Sequence, residues 1–448
     1  MTAELLRMSL RIVLVMTGLM TVLASASAAD PGLARPNIVF IIGDDQAWSD
    51  YGFMGHPVIH TPHLDRLAKE SLVFPRGYVP TSLCRASLAT MITGLYPHQH
   101  KITSNDPPLP QGKTGAAAMN DPEFLKLREA MVAEFEKSPA LPKLLARAGY
   151  RSHQSGKWWE GNACRCGGFS EGMTHGDPRK GGRHGDAGLV IGRQGITEVT
   201  TFITAAKADG VPFFLWYAPM MPHTPHNPPE RLLAKYREKT PSIHVARYWA
   251  MCEWFDETVG ELLAHLDKEG FRQNTLVIYL HDNGWIQDPD KPRYAPKSKR
   301  SPYDGGIRTP ILLRWPGRVK PGQSNALVSS IDLAPTVLTA AGLSPTPAMP
   351  GINLLDADAV ARRDSTFGAI FEHNAVDISN PAANLLYRWG IVDQWKLIVP
   401  QAPNVKDGGV ELYDVVADPW ETKNLAASQP EKVAELRRRL DAWWTPKP

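Results

Sequence analysis

The sequence predicts an α/β fold: a large central, mostly parallel sheet flanked by helices, then a smaller C-terminal subdomain carrying a short antiparallel sheet and a terminal helix. Three observations lead there. Apolar runs of strand length alternate with apolar positions at helical spacing, the pattern of βαβ units. Each run stops abruptly at a short segment rich in acidic, basic or His residues. Beyond about residue 345 the rhythm changes to short strands and one amphipathic helix.

Taken in order, Ile38 to Ile42 is an uninterrupted apolar run, as expected of a strand buried on both faces, and it ends at Gly43-Asp44-Asp45. His63 to Ser71 reads as a helix. Residues 139–148 read as another, leading into a short strand near Tyr150 that ends at Ser155-Gly156-Lys157. Phe213 to Tyr217 is strand-like and runs straight into the proline-rich loop Pro219 to Pro229. From His244 to Lys268, Tyr248, Cys252, Phe255, Val259, Leu262, Leu263 and Leu266 recur at helical spacing, with Gly270 as a stop. Leu276 to Leu280 is again a strand, ending at His281-Asp282-Asn283-Gly284. The C-terminal part offers strands at Trp395 to Val399 and Gly409 to Val415, then a helix from Pro430 to Trp443. Pro107 to Met119 and Arg179 to Gly188 are rich in Gly, Pro and polar residues and read as surface loops.

The first stretch carries Arg7 and Arg11, an apolar run from Ile12 to Leu23, and small residues up to Ala29. A basic flank, a short apolar core and a small-residue cleavage site read as a secretory signal over residues 1–29. The run is too short to span a bilayer comfortably, and no Cys follows it to take a lipid. The expectation is a soluble protein without a membrane anchor, starting near Asp30, periplasmic or secreted, with an α/β domain over 30–344 and the subdomain over 345–448. Removing Arg7, Arg11 and Glu4 lowers the formal charge from +3 to +2, too small an excess to point to nucleic acid. Four cysteines are too few for a disulfide scaffold in 448 residues. Cys252 falls on an apolar helix face, and Cys164 and Cys166 stand too close together for an ordinary zinc pair.

The charged segments follow the apolar runs, and in open α/β sheets ligands bind beyond the carboxyl ends of the strands. These loops are therefore expected to meet at one site. Asp44-Asp45 and Asp282-Asn283 each close a strand. Cys84 opens Cys84-Arg85-Ala86-Ser87-Leu88-Ala89-Thr90-Met91-Ile92-Thr93-Gly94. Lys157 stands in Gly156-Lys157-Trp158-Trp159-Glu160-Gly161, and His223 and His226 in Pro222-His223-Thr224-Pro225-His226. Lys299 lies four residues before Tyr303-Asp304-Gly305-Gly306-Ile307-Arg308.

With these segments in this order, from Pro36 to about Trp443, the chain resembles the sulfatase family, formylglycine-dependent members of the alkaline phosphatase superfamily. The resemblance implies a metal site of Asp44, Asp45, Asp282 and Asn283; such an all-oxygen shell suits Ca²⁺, with Mg²⁺ as the alternative. It implies that Cys84 is oxidised by a formylglycine-generating or equivalent maturation enzyme, and that the hydrated aldehyde attacks sulfur. A second hydroxyl on the same carbon then expels sulfate, which a serine could not do. Lys157 and Lys299 are implied to bind the sulfate, and His223 to protonate the leaving alcohol, with His226 a second choice because it too stands two residues before a Pro. Three departures stand out: Ala86 replaces the family's Pro, Leu88 its Arg, and Trp159 its His. Arg85, about 100° round the helix from Cys84, is the nearest substitute for that Arg, and Arg85 and Trp159 are expected beside the substrate with His226. Trp48, Trp158, Trp159 and Trp285 adjoin the motifs, as platforms for a sugar ring or as core. His98 and His100 lie past the nucleophile helix, where capping is the simpler role. The expected activity is hydrolysis of sulfate esters on a sulfated small molecule or carbohydrate. Two other readings stay open: a phosphodiesterase or phosphonate monoester hydrolase on the same fold, and a silent protein that binds sulfated glycans.

Overall fold

In the computed structural model, which describes residues 35–177 and 180–447, the central strand is β1 (Asn37–Gly43). On one side of it lie β5 (Phe213–Ala218), β3 (Arg151–Gly156) and the two-residue β4 (Glu171–Gly172). On the other lie β6 (Thr275–His281), β7 (Arg308–Arg314) and β2 (Leu72–Tyr78), with β8 (Gly322–Gln323) and β9 (Val328–Ser329) both paired to β2. From β4 through β6 all neighbours are parallel; β7 is antiparallel to both β6 and β2. The signal sequence expected at residues 1–29 lies outside the described residues. Among the described residues no helix is long and apolar enough to cross a membrane.

The continuous apolar run of β1 follows from its position. Ile38, Phe40 and Ile42 point to a core layer shared with Phe74, Trp216 and Ile278, whereas Val39 and Ile41 point to the opposite layer with Phe255, Val259 and Leu262. With helices on both faces, alternation has nothing to report and every position is apolar. The expected helices form at Pro62–Lys69, Leu141–Ala146 and Ile243–Lys268. Several others were not anticipated, the longest being Pro122–Glu136 and Thr197–Asp209. The first carries its own start signal, since Asp121 Oδ1 accepts the free N–H groups of Glu123 and Phe124 and Pro122 sits where no donor is needed.

The C-terminal strands β10 (Ser365–Phe371), β11 (Leu385–Val392), β12 (Trp395–Pro400) and β13 (Glu411–Asp414) form an antiparallel sheet in chain order. The helix Pro430–Trp443 lays Leu436 and Leu440 against Leu397 and Leu412 of that sheet. Of the two expected surface loops, the first is exposed from Gln111 to Ala117 and the second is partly buried. Residues 107–119 end in a helical turn, Gly115–Met119. In the second, Gly182, Gly185 and Gly188 are buried. A Cβ on Gly188 would lie 2.7 Å from the carbonyl oxygen of Gly156, so the glycine allows this segment to close over the end of β3.

Candidate active site

The parallel strands end level with one another: β1 pairs Gly43 with His281 of β6, and β3 pairs Gly156 with Ala218 of β5. Main-chain bonds carry the pairing past the strand ends, from Asp44 N to Met221 O (3.0 Å), Asp282 N to Gly43 O (2.9 Å) and Lys157 N to Ala218 O (2.6 Å). Four loops therefore begin at one depth and point the same way. Two residues turn there in the left-handed region, Gly156 at φ 81° and Asp45 at φ 61°. At Gly156 a Cβ would lie 1.9 Å from Ala218 O, so only glycine lets Lys157 enter the site. Asp45 is an uncommon occupant of that region, held by its bonds to the cluster below.

Those bonds are charged and buried. Lys157 Nζ donates to Asp44 Oδ1 at 2.7 Å and stands 4.0 Å from Asp282 Oδ2. Lys299 Nζ donates to Asp45 Oδ1 and Oδ2 at 2.5 and 2.7 Å and to Cys84 Sγ at 3.2 Å. Asn283 Nδ2 donates to Asp45 Oδ1 (2.7 Å), and Asp45 N to Asp282 Oδ1 (3.2 Å). Burial alone would raise the Asp45 pKa, but Lys299, His223 and Lys157 outweigh it and hold the carboxyl well below its usual range. Asp282 goes the other way: burial and the neighbouring Asp44 push it far above that range. Burial also opposes the charge on Lys157, yet the Asp44 carboxylate beside it keeps it firmly protonated.

This donor set fits a hard divalent cation. Asp44 Oδ2, Asp282 Oδ2 and Asn283 Oδ1 are buried oxygens without a hydrogen-bond partner, an arrangement that costs several kcal/mol unless a cation meets them. Ligand atoms of Asp44, Asp45, Cys84 and His223 all lie within 4.8 Å of one another, so the oxygens, the residue 84 side chain and the imidazole share one pocket.

Cys84 is the first residue of the helix Cys84–Thr93, which leaves β2 through residues 79–83. Every residue of that helix is buried, so Leu88, where the family has Arg, lies in a helix enclosed on all sides. Burial pushes the Cys84 thiol up to about 12 against the pull of Lys157 and Lys299, so the unmodified side chain is a neutral thiol at neutral pH.

His223 and His226 come from the loop after β5. His223 Nδ1 donates to Thr224 O at 2.6 Å, which leaves Nε2 facing Asp45 Oδ2 at 3.5 Å. Burial, and then Lys157, lower its pKa. His226 packs between Tyr248 and Trp285, its Nε2 buried without a partner.

Arg85 and Trp159 take other positions than expected. Arg85 is fully buried: Nε and Nη2 hold both oxygens of Glu160 at 2.7 and 2.6 Å, and its backbone N–H donates to Asn105 Oδ1 at 3.0 Å. With its donors spent inside the protein it braces the start of the helix that Cys84 opens. Trp159 is 3 % exposed, with the Arg183 guanidinium 4.8 Å over its ring and His184 at its edge, which makes it a wall of the site and not a platform. Trp158 lies in the core against Phe135, Phe169 and Trp216. Trp48 is held between Arg308 and Trp420, and Trp285 lies 5.7 Å below the Lys299 ammonium. His98 stacks on Trp444, and His100 Nε2 bonds Thr90 Oγ1. Cys164, Cys166 and Cys252 are free thiols, the first exposed and the others buried. Glu160 and Asn105, which hold Arg85, His184, which lies against Trp159, and Arg193, which bonds His223 O, were not anticipated; only Glu160 stands within a motif, that of Lys157.

Comparison with known proteins gives the family. The sulfatase family model matches residues 36–343, and a model for the C-terminal region of N-sulphoglucosamine sulphohydrolase matches residues 295–444. The chain is 30 % identical over 365 residues to N-acetylgalactosamine-6-sulfatase of Rattus norvegicus, covering 72 % of this chain and 64 % of that protein. It thus spans just under two thirds of that relative. It is 24 % identical over 493 aligned positions to the N-acetylgalactosamine-6-O-sulfatase of Bacteroides thetaiotaomicron, covering 91 % and 93 % of the two chains. The crystal structure of Ps i-CgsB superposes with a TM-score of 0.72 at 24 % identity, covering 92 % and 93 %, and so shares the fold. Matched by its family model over most of its length, this chain belongs to the sulfatase family.

Proposed function

We propose that the protein hydrolyses sulfate esters of a sulfated carbohydrate, with residue 84 converted from cysteine to formylglycine and a divalent cation, Ca²⁺ before Mg²⁺, held by Asp44, Asp45, Asp282 and Asn283. The observation that carries the reading is the position of the Lys299 ammonium, shared between the Asp45 carboxylate and the side chain of residue 84. The names of the relatives, both acting on N-acetylgalactosamine 6-sulfate groups, support a sulfated sugar as the substrate class.

In this reading Cys84 Sγ stands where an oxygen of the hydrated aldehyde sits in the mature protein. A thiol kept neutral by burial is a poor nucleophile, which is the physical case for its conversion. The bound cation would act as a Lewis acid toward the sulfate oxygens and the hydrate. Lys157 and Lys299 bring two further fixed positive charges to the sulfate in a dry pocket, where preorganised charge lowers barriers most. His223, its Nδ1–H fixed on Thr224 O, uses Nε2 to hold the proton that the departing alcohol needs. Two buried lysines beside one oxygen cluster favour a single-metal sulfatase over a two-metal phosphodiesterase. Maturation of residue 84 calls for a formylglycine-generating or equivalent enzyme, and the leader-like residues 1–29 support export to the periplasm or medium.

The test is peptide mass analysis of residue 84 in protein from its native host, with parallel assays on aryl sulfate and aryl phosphodiester. Loss of sulfur with gain of oxygen, and turnover of the sulfate in preference, are expected. A free thiol in every molecule, without turnover, overturns the reading in favour of a glycan-binding homologue.

A further inference from the structure

The loop that carries His223 has an unusual supply problem. Five of the eleven residues from 219 to 229 are prolines, so the loop has carbonyl acceptors but few N–H donors with which to tie itself down. Main-chain N–H groups of Asp44, Met221 and Asn227 reach the carbonyls of Met221, Pro219 and Pro225, and one side chain elsewhere in the chain supplies four further bonds. Arg193 Nη2 donates to Met220 O at 3.0 Å and to His223 O at 2.9 Å, and Nη1 donates to Pro225 O at 3.3 Å and to Asn227 Oδ1. One planar guanidinium thus collects four acceptors on both sides of the imidazole-bearing residue, which a lysine's single ammonium cannot match.

Arg193 is itself anchored. It belongs to a tight turn closed by Gly192 N to Gly195 O at 2.9 Å, and its guanidinium lies 5.9 Å from the ring of Trp254 on the long helix Ile243–Lys268. A Cβ on Gly192 would lie 3.1 Å from Met221 Sδ, so the turn and the His223 loop are packed directly together.

We propose that Arg193 is a positioning residue for His223: by supplying the donors that the proline-rich loop lacks, it fixes the imidazole at the angle from which Nε2 reaches the departing oxygen. Arg193 touches no reacting atom in this account, and the inference rests on the reading of His223 as the acid. A misplaced acid slows substrates whose alcohol leaves poorly and spares those whose alcohol leaves unaided. A loop brace of purely structural value would slow both alike.

The experiment compares a sugar or alkyl sulfate with 4-nitrophenyl sulfate in the purified, matured wild type, Arg193→Lys, Arg193→Ala and His223→Ala, with thermal midpoints recorded for each. For Arg193→Lys the kcat on the sugar sulfate should fall about 10- to 100-fold while 4-nitrophenyl sulfate changes by less than about threefold, and His223→Ala should show the same bias more strongly. Guanidinium ion added to Arg193→Ala should restore part of the sugar-sulfate rate. If His223→Ala slows both substrates equally, the acid assignment is wrong. If His223→Ala is biased but Arg193→Lys leaves both rates unchanged or lowers both in proportion, the positioning role of Arg193 is wrong while the acid assignment stands.

Discussion

The Lys299 ammonium is gripped by both carboxylate oxygens of Asp45, at 2.5 and 2.7 Å, with no more than 9 % of the lysine side chain exposed. A pair this dry would be a poor device for stability, because desolvation of two ions offsets most of their attraction. In the proposed reaction its value lies in holding a positive charge 3.2 Å from residue 84 before substrate arrives.

Replacing Lys299 by alanine should therefore cost far more activity than stability. A fall in kcat of about 10²- to 10³-fold is expected, the scale for losing one oriented donor at a developing anion. Steady-state kinetics on a sulfate ester, with the bound metal quantified in the same samples, checks it. Full metal content with a kcat near wild type would remove Lys299 from the chemistry.

Cation removal should be visible in stability as well as in rate. Asp44 Oδ2, Asp282 Oδ2 and Asn283 Oδ1 are buried without partners. A cation at 100 times its dissociation constant stabilises a folded protein by about 2.7 kcal/mol. The thermal midpoint should fall on chelation and recover with Ca²⁺, whereas Asp282→Ala should be insensitive to both treatments. Equal responses in the two proteins would mean that the cation sits elsewhere.

What could be read in advance follows from locality. β1, β5 and β6 are legible because a strand covered on both faces is largely apolar, and the ligands stand immediately after them; β3 is polar along its length and is legible only from the helix before it and the Ser155-Gly156-Lys157 segment that closes it. β2 is not, since Pro75, Arg76 and Gly77 interrupt its apolar run where its pairing with β7 slips. Partners brought together only by folding left no trace: Arg85 meets Glu160 across 75 residues, and Arg193 meets His223 across 30. Trp159 departs from expectation for the same reason, as nothing nearby in sequence announces that Arg183 covers its ring.

The Arg85–Glu160 pair offers a test of that kind of partner. Both side chains are buried and the pair is bidentate, with Arg85 in the first turn of the helix Cys84–Thr93. Breaking it from one side strands a charge, so Glu160→Leu should lower unfolding free energy by about 3 to 5 kcal/mol. Removing both charges, Arg85→Met with Glu160→Leu, should recover much of the loss because no ion is left unpaired. Urea denaturation of the three proteins measures it, and strictly additive losses would show that the pair acts only through packing.

Asp50 should govern how stability changes with pH. It lies in the loop beyond Asp45, where its carboxylate accepts Ala47 N at 2.9 Å and the Tyr248 hydroxyl. Burial raises its pKa from 3.8 to about 7, with the Tyr248 and Ala47 bonds opposing. A raised acid binds its proton more tightly in the folded chain than in the unfolded one. Its stabilising contribution is therefore complete below pH 3.8 and is lost as pH climbs through about 7. Asp256 shifts in the same direction, raised to about 7 by burial against its bonds from Leu64 and His63, so the wild type carries both slopes. Asp50→Asn keeps an acceptor for Ala47 and cannot ionise. Its stability relative to wild type should thus improve across this window, by about 1 to 4 kcal/mol in all. Thermal or urea unfolding of both proteins at several pH values gives the difference directly, and a difference independent of pH would show that Asp50 is ionised at no cost in the folded protein.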